Sequence, residues 1–222
     1  MTYGFAHRGG GHGPDNALST FVDALARGAT GLETDAWLSL DGAVVLDHDG
    51  VAPLPKGRVP IAAVCRAELP PNLATLDELY EKCGTDFDLA VDVKTEAVAT
   101  ALVAVANRYR AADRLWVVAP AASRLAGVDP AHRATTVRGN VLRSRGRRSV
   151  LGHARDVGVE AINARWMWWN RAIVAEVQAL GMLAFGYDAQ RRASLERSVR
   201  IGLDGVFSDQ VEAMNAAIGA PR

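Results

Sequence analysis

Short apolar runs alternate with segments of helical periodicity along almost the whole 222-residue chain. The first apolar run covers residues 3–6 and precedes a helical pattern over 17–27. Seven or eight strand–helix units of this kind predict an α/β fold, a single-domain (β/α)8 TIM barrel over residues 1–222. The alternative, an open doubly wound sheet, lacks support because the chain contains no GxGxxG or Walker-type phosphate loop.

The later units follow the same alternation. The other predicted strands cover 32–38, 44–46, 89–93, 115–118, 134–137, 161–162, 182–185 and 205–207. The other predicted helices cover 75–83, 96–108, 149–157, 171–180, 193–201 and 209–218. Thr75 followed three residues later by Glu78 matches a capping box, which marks the start of a helix.

Composition excludes several classes of function. Lysine plus arginine and aspartate plus glutamate both number 25, so no net charge draws the chain to nucleic acid or to anionic membranes. No apolar stretch reaches the roughly 18 residues of a transmembrane span, and the N-terminus lacks a signal-peptide pattern. Cys65 and Cys83 have no CxxC spacing and are expected to be reduced thiols. A cytoplasmic location is therefore expected, and the sequence indicates no oligomeric state.

Chemically reactive side chains stand at the ends of the first strands. His7 and Arg8 follow the first apolar run, and His48 follows the run 44–46. Glu33 and Asp35 lie two residues apart, so on a strand they face the same way. Two like-facing carboxylates repel each other unless a cation lies between them, and carboxylate oxygens suit Mg²⁺ or Ca²⁺. This combination indicates a metal-assisted reaction at a phosphate.

A later strand repeats this arrangement. Asp92 and Lys94 lie two residues apart at the end of the apolar run 89–93. Asp92 is a candidate third carboxylate ligand, and Lys94 is a candidate point charge for a phosphate oxygen. The competing interpretation makes Glu33 and Asp35 a solvated strand edge and the later pair an ordinary surface ion pair. It would leave four charged residues together in apolar surroundings.

Two further segments allow more than one interpretation. The arginines between positions 138 and 148 are expected to form a solvated loop and helix start, with contact to a substrate phosphate or a lipid headgroup as the alternative. Trp166, Trp168 and Trp169 follow the sixth barrel strand. They could line a substrate pocket, make transient contact with a membrane surface, or pack beneath a loop.

Taken together, the motifs resemble the glycerophosphodiester phosphodiesterase family. That family has a strand ending in His-Arg-Gly, then Pro-Glu-Asn-Thr, Glu-x-Asp, Asp-Gly and His-Asp. The corresponding segments here are His7-Arg8-Gly9, Pro14-Asp15-Asn16-Ala17, Glu33-Thr34-Asp35, Asp41-Gly42 and His48-Asp49. Later landmarks are Thr75-Leu76-Asp77-Glu78-Leu79, Asp92-Val93-Lys94, Phe185-Gly186-Tyr187-Asp188 and Ser208-Asp209. The landmarks follow the family's order along essentially the whole chain, and those of the first half are the more specific.

The resemblance implies a TIM barrel that hydrolyses phosphodiesters with a divalent cation, Mg²⁺ or Ca²⁺. It implies the following roles: His7 and His48 as the acid–base pair, Arg8, Lys94 and Asn16 as phosphate or substrate contacts, and Glu33, Asp35 and Asp92 as metal ligands. Asp92 is one methylene shorter than the family's Glu, so a bound ion would have to shift or hold an intervening water. The segment between His48 and Thr75 is shorter than the covering insertion expected of the family.

The expected reaction is hydrolysis of a small-molecule glycerophosphodiester to glycerol 3-phosphate and an alcohol. Two alternatives stay open at this stage. One is a phosphodiester lyase that acts on inositol or sphingolipid headgroups and releases a cyclic phosphate. The other is a non-catalytic barrel that binds a phosphate or a lipid.

Overall fold

Eight parallel strands close into a barrel. The computed structural model of the chain describes residues 2–55, 57–125, 128–129 and 131–219. The barrel strands are β1 (Tyr3–Ala6), β2 (Gly31–Leu38), β6 (Asp88–Val93), β7 (Leu115–Ala119), β8 (His132–Thr136), β9 (Ala161–Arg165), β10 (Leu183–Tyr187) and β11 (Gly205–Ser208). Each strand pairs with its neighbour in chain order, and β1 pairs with both β11 and β2. The predicted (β/α)8 barrel is therefore confirmed.

Helices cover the outside of this barrel. They are α1 (Leu18–Ala26), α2 (Leu76–Cys83), α3 (Glu96–Arg108), α4 (Gly139–Leu142), α5 (Arg147–Asp156), α6 (Arg171–Ala179), α7 (Arg192–Arg200) and α8 (Val211–Gly219). The predicted capping box is present at α2, where the Thr75 hydroxyl accepts the Glu78 N–H and the Glu78 carboxylate accepts the Thr75 N–H. None of the described helices is long and apolar enough to cross a lipid bilayer.

Three strands lie outside the barrel. β3 (Val44–Leu46) pairs antiparallel with β2, as the Asp41-Gly42 turn predicts. β4 (Val51–Leu54) and β5 (Gly57–Pro60) form a separate hairpin that the sequence analysis did not predict. Pro53 and Pro60 lie within its strands, and proline is tolerated there because a two-stranded sheet consists only of edges.

Aromatic rings fill the lower part of the barrel. Phe5, Trp116, Phe185 and Phe207 are buried there together with small residues of the neighbouring strands. The rings of Phe5 and Phe207 stack with centroids 4.7 Å apart, and those of Trp116 and Phe185 meet edge-on at 4.9 Å. Such contacts stabilise the interior beyond the burial of apolar area. Packed side chains therefore fill the lower interior, and we call this cluster the plug. Open space lies above it, at the end of the barrel where the strands finish.

Of the tryptophan run, Trp169 belongs to the core, so it is not available for the membrane contact that was one of the three interpretations. Trp169 is 2% exposed, and its indole N–H donates to the carbonyls of Ala164 and Phe185. Trp166 and Trp168 are half-buried against the core, and Trp168 packs on Gly139. Packing beneath a loop, one of the three interpretations, accounts for Trp168 and Trp169. Contact of Trp166 and Trp168 with a membrane stays a prediction.

Truncation of one plug residue tests how much of the stability depends on the interior. Phe185→Ala removes a fully buried ring and leaves a cavity, so we expect it to lower the free energy of unfolding by about 3–5 kcal/mol in urea denaturation. Leu40→Ala is the control, because Leu40 is 64% exposed and the change should stay within about 0.5 kcal/mol. A loss below about 1 kcal/mol for Phe185→Ala would show that the plug does not stabilise the barrel.

Candidate active site

The inward-facing positions of the barrel change from apolar to polar where the strands end. On β6, Ala90 lies in the plug and Asp92 is the next inward position. On β2, Asp35 pairs in register with Asp92. Glu33 and Asp35 are buried, as expected from the two-residue spacing. The carboxyl groups of two neighbouring strands are therefore brought to the same rim, where active sites of this fold form.

A pocket of about 250 Å³ opens at this rim. Six of the predicted site residues line it: His7, Arg8, Glu33, Asp35, His48 and Asp92. Five further lining residues come from the other side of the barrel: Val118, Thr136, Asn163, Tyr187 and Phe207. Residues far apart in the chain thus form one concave site, and its polar part is supplied mostly by the first half of the sequence.

His7 is held by a carboxylate that the sequence analysis placed near a strand end but gave no role. Its Nδ1 lies 2.8 Å from Oδ1 of Asp209, and its Nε2 lies 3.9 Å from Oε2 of Glu33. The hydrogen bond from His7 lowers the pKa of Asp209, so Asp209 is the ionised acceptor and Nδ1 carries the donated proton. Burial acts to lower the pKa of His7, but Asp209 and the charge of Glu33 outweigh it and the pKa is raised.

Arg8 adopts a left-handed backbone conformation with φ 48°, which is uncommon for a residue with a Cβ atom. In this conformation its backbone N–H donates to Oε2 of Glu33 at 3.0 Å. One guanidinium nitrogen bonds Asp15 at 3.0 Å, and Nε lies 3.6 Å from Oδ2 of Asp35. Both Nε of Arg8 and Oδ2 of Asp35 are buried without a hydrogen-bond partner. Buried unpaired atoms at a pocket wall are candidate contacts for a ligand.

Lys94 neutralises the carboxylates beside this pocket. Its ammonium donates to Asp35 at 2.9 Å and to Asp92 at 2.7 Å. Burial raises the pKa of Asp92 despite the charge of Lys94. Burial, with added repulsion from Asp35 and Asp92, raises the pKa of Glu33 to about 7. Burial therefore disfavours the ionised form of both Glu33 and Asp92, in spite of the cations beside them.

His48 lies at the open side of the pocket, with its side chain 49% exposed. Its Nδ1 is 2.9 Å from Oδ1 of Asp49. The same bond lowers the pKa of Asp49, so Asp49 is ionised and Nδ1 of His48 is the donor. His7 and His48 thus use Nδ1 in the same way, and each leaves Nε2 without a hydrogen-bond partner among the described residues.

The donor set fits a hard divalent cation. Glu33, Asp35 and Asp92 offer carboxylate oxygens at one pocket, and one of those oxygens is buried and unpaired. Among the residues that the structure describes, no group of three His, Cys, Asp or Glu side chains is already arranged around one metal position. The ammonium of Lys94 lies on two of the three carboxylates, where a cation would supply the same charge.

Two predicted substrate contacts do not line the pocket. Asn16 is 5% exposed, and its side-chain carbonyl accepts the hydroxyl of Thr34, while its backbone N–H donates to the carbonyl of Arg8. These bonds hold the loop that carries Arg8. Lys94 contacts the carboxylates of the rim instead of lining the cavity. A direct contact of either residue with substrate stays a prediction.

Replacement of the carboxylate behind His7 tests the electrostatics of the site. In Asp209→Asn the neutral amide removes the charge that favours the imidazolium, so we expect the pKa of His7 to fall. Titration of the histidine ring resonances by NMR measures it directly. Asp49→Asn is the matched control, because Asp49 contacts His48 and should leave the His7 titration in place. An unchanged or higher pKa of His7 in Asp209→Asn would contradict the assignment.

Comparison with known proteins agrees with this geometry. Residues 7–93 match the model of the glycerophosphoryl diester phosphodiesterase family. A glycerophosphodiester phosphodiesterase from Thermotoga maritima is similar in structure with a TM-score of 0.83 and 20% identity, covering 97% of this chain and 98% of that one. A phosphodiesterase from Oleispira antarctica, solved with sn-glycerol-3-phosphate, is similar with a TM-score of 0.83 and 21% identity, covering 99% and 98%.

A comparison with curated proteins found no match. The family model ends at the strand that carries Asp92, so it includes every residue predicted from the first-half motifs. The structural similarity extends over nearly the whole barrel. The segment that supplies the polar half of the pocket therefore matches the model of the glycerophosphoryl diester phosphodiesterase family, and it is built into a complete TIM barrel.

Proposed function

We propose that the protein is a phosphoric diester hydrolase that uses a divalent cation to cleave glycerophosphodiesters into glycerol 3-phosphate and an alcohol. The observation that carries this proposal is the convergence of two histidines, an arginine and three carboxylates on one pocket within the segment that matches the family. Few other reactions need all of these groups together. The substrate is a small molecule, and the balanced charge of the chain gives no reason to expect nucleic acid. A cytoplasmic location remains part of the proposal.

His7 and His48 form the proposed acid–base pair. Cleavage of a phosphodiester requires that the nucleophile lose a proton and that the leaving alkoxide gain one. Each histidine holds its Nδ1 proton on a carboxylate and presents Nε2 for proton transfer. The raised pKa of His7 favours its protonated form, so His7 suits the role of acid and His48 the role of base.

Arg8 is the proposed phosphate contact. Its buried Nε has no hydrogen-bond partner, and its backbone is fixed by Glu33. The guanidinium lines the pocket and its side chain is 22% exposed, so a phosphate oxygen could accept a charge-assisted hydrogen bond from its accessible part. Neutralisation of the diester charge is needed before a nucleophile can approach, and it is most effective as charge builds up on the equatorial oxygens.

Glu33, Asp35 and Asp92 would hold the divalent cation. When bound, such a cation supplies Lewis-acid stabilisation of the phosphoryl oxygens. The chain's own contribution is to collect the carboxylates at one rim, with Glu33 and Asp35 buried and Asp92 half-buried. Lys94 would then release one or both carboxylates and could turn toward the phosphate, as the sequence predicts.

The size of the pocket agrees with this substrate. About 250 Å³ corresponds to roughly eight water molecules at ~30 Å³ each, which accommodates a phosphate with a three-carbon alcohol. The Oleispira antarctica protein was solved with such a compound, sn-glycerol-3-phosphate. We carry that ligand over to the pocket of this chain as part of the proposal.

A metal-dependence assay tests the proposed function. With glycerophosphocholine, glycerophosphoethanolamine and bis(p-nitrophenyl) phosphate as substrates, we expect activity that a chelator abolishes and that Mg²⁺, Ca²⁺ or Mn²⁺ restores. His7→Ala and Glu33→Ala should each lower kcat/KM by about 10²–10⁴, because each removes a group used in the transition state.

His12→Ala is the matched control for the histidine variant. His12 lies in the loop that follows Arg8, its side chain is 59% exposed, and it does not line the pocket. Its substitution should leave kcat/KM unchanged. Full activity in His7→Ala or Glu33→Ala would refute the site. A cyclic phosphate that accumulates as the final product in ³¹P NMR would instead identify a lyase.

A further inference from the structure

A second cavity continues from the candidate active site. It has a volume of about 650 Å³ and shares two lining residues, Thr136 and Tyr187, with the smaller pocket. Both residues end barrel strands, so the second cavity opens on the same rim as the first. We call it the side groove; its remaining wall follows β7 and β8 and includes one face of α5. A ligand can therefore extend from one cavity into the other.

A diester with a large second alcohol would extend beyond the smaller pocket. Its volume matches a phosphate with one small alcohol, as argued above. Two adjoining spaces share wall residues with it: the side groove, and a space of about 240 Å³ lined by His7, Tyr187, Asp188 and Gln190. The side groove is the larger of the two and is the candidate site for the second alcohol. This step rests on the proposed function.

The side groove is lined by basic side chains and by no acidic side chain among the described residues. The basic side chains are those of Arg138 and His153. Neither the guanidinium of Arg138 nor the ring of His153 has a hydrogen bond or ion pair within the described part of the chain. His153 follows Val150 by three residues on α5, so both project toward the same side of that helix. Two unpaired donors thus face a partly apolar groove.

The neighbouring chain segment strengthens this charge. Residues 138–148 contain five arginines and no acidic residue. Arg147 is bound to Glu176 at 2.8 Å, whereas the exposed Arg143 and Arg145 have no ion pair among the described residues. The summed positive potential favours an anion at the groove mouth.

We propose that the side groove binds the second alcohol of the diester and that this alcohol carries an additional anionic group, such as a phosphomonoester. A cationic headgroup such as choline would need carboxylates or several aromatic faces. Among the described lining residues, the groove offers Tyr187 as its one aromatic ring. Arg138 binds the additional anion, with the His153 ring as a second donor.

A matched pair of substrates tests this proposal. Glycerophosphoinositol 4-phosphate differs from glycerophosphoinositol only by the additional phosphate. We expect kcat/KM to be about tenfold or more higher for the phosphorylated diester, with glycerophosphocholine lower than both. In Arg138→Gln the ratio of the first two should fall close to one, and His153→Gln should lower it by a smaller factor.

Arg143→Gln is the control variant, because Arg143 belongs to the same arginine-rich segment but does not line the groove. It acts on the groove only through the general positive potential, so it should lower the ratio by a much smaller factor than Arg138→Gln does. If Arg138→Gln and Arg143→Gln lowered the ratio equally, the segment would act only through its general positive potential, as a surface that binds a polyanion or a membrane does. That result would overturn the groove assignment. A wild-type ratio of one or below would overturn it as well.

Calorimetry separates this inference from the proposed function. The dissociation constants of the same two diesters, measured in the presence of chelator, report binding without turnover. A tenfold preference for the phosphorylated compound that Arg138→Gln removes would support the groove even if the chain cleaved neither diester. Equal dissociation constants would reject it even if both were cleaved.

Discussion

The site depends on three carboxylates gathered at one rim of the barrel, of which Glu33 and Asp35 are buried and Asp92 is half-buried. An ionised carboxylate is stable in a protein interior only if opposite charge or hydrogen bonds replace its water. Here the ammonium of Lys94 contacts Asp35 and Asp92, while Glu33 accepts the Arg8 N–H and lies near His7. The compensation is incomplete, because the pKa of Glu33 is raised to about 7. A rim in this state gains stability from added positive charge, which is the physical reason for the divalent cation in the proposed reaction.

The fold keeps these groups in place by fixing both the floor of the pocket and the loop above it. The stacked rings below the rim leave inward side chains little freedom to retreat into the barrel. Above the rim, Arg8 is held in a left-handed conformation, and Gly9 next to it lies where a Cβ atom would come within 2.7 Å of Thr20. Strain of this kind persists only where surrounding contacts fix it, and here it directs the Arg8 N–H to Glu33.

The local part of the site could be predicted from the sequence, and the long-range part could not. Two-residue spacing determined that Glu33 and Asp35 share a face, and strand ends placed His7 and His48 at the rim, because these relations follow from strand geometry alone. The partnership of His7 with Asp209 spans 202 residues and exists only because β1 pairs with β11 when the barrel closes. The lining residues Thr136 and Asn163 carry no motif; once eight strands are assigned, their inward position could have been found from alternation with the buried Ala134 and Ala161. Similarly, aromatic residues alone did not distinguish the buried Trp169 from a surface contact, since burial depends on how the loop folds back onto the core.

The mouth of the barrel is divided by charge, and the division follows the order of the strands. The first barrel strands, β1, β2 and β6, supply the carboxylates and the groups that compensate them, so this side attracts cations. The segments after β7 and β8 and the helix α5 line the side groove with unpaired basic side chains and, among the described residues, with no carboxylate, so that side attracts anions. In the proposed reaction, a phosphodiester placed between the two sides would be activated by the first and selected by the second. The motifs in the first half of the chain would then determine the cleavage chemistry. The second half of the chain, which the family model does not match, would determine which alcohol is bound.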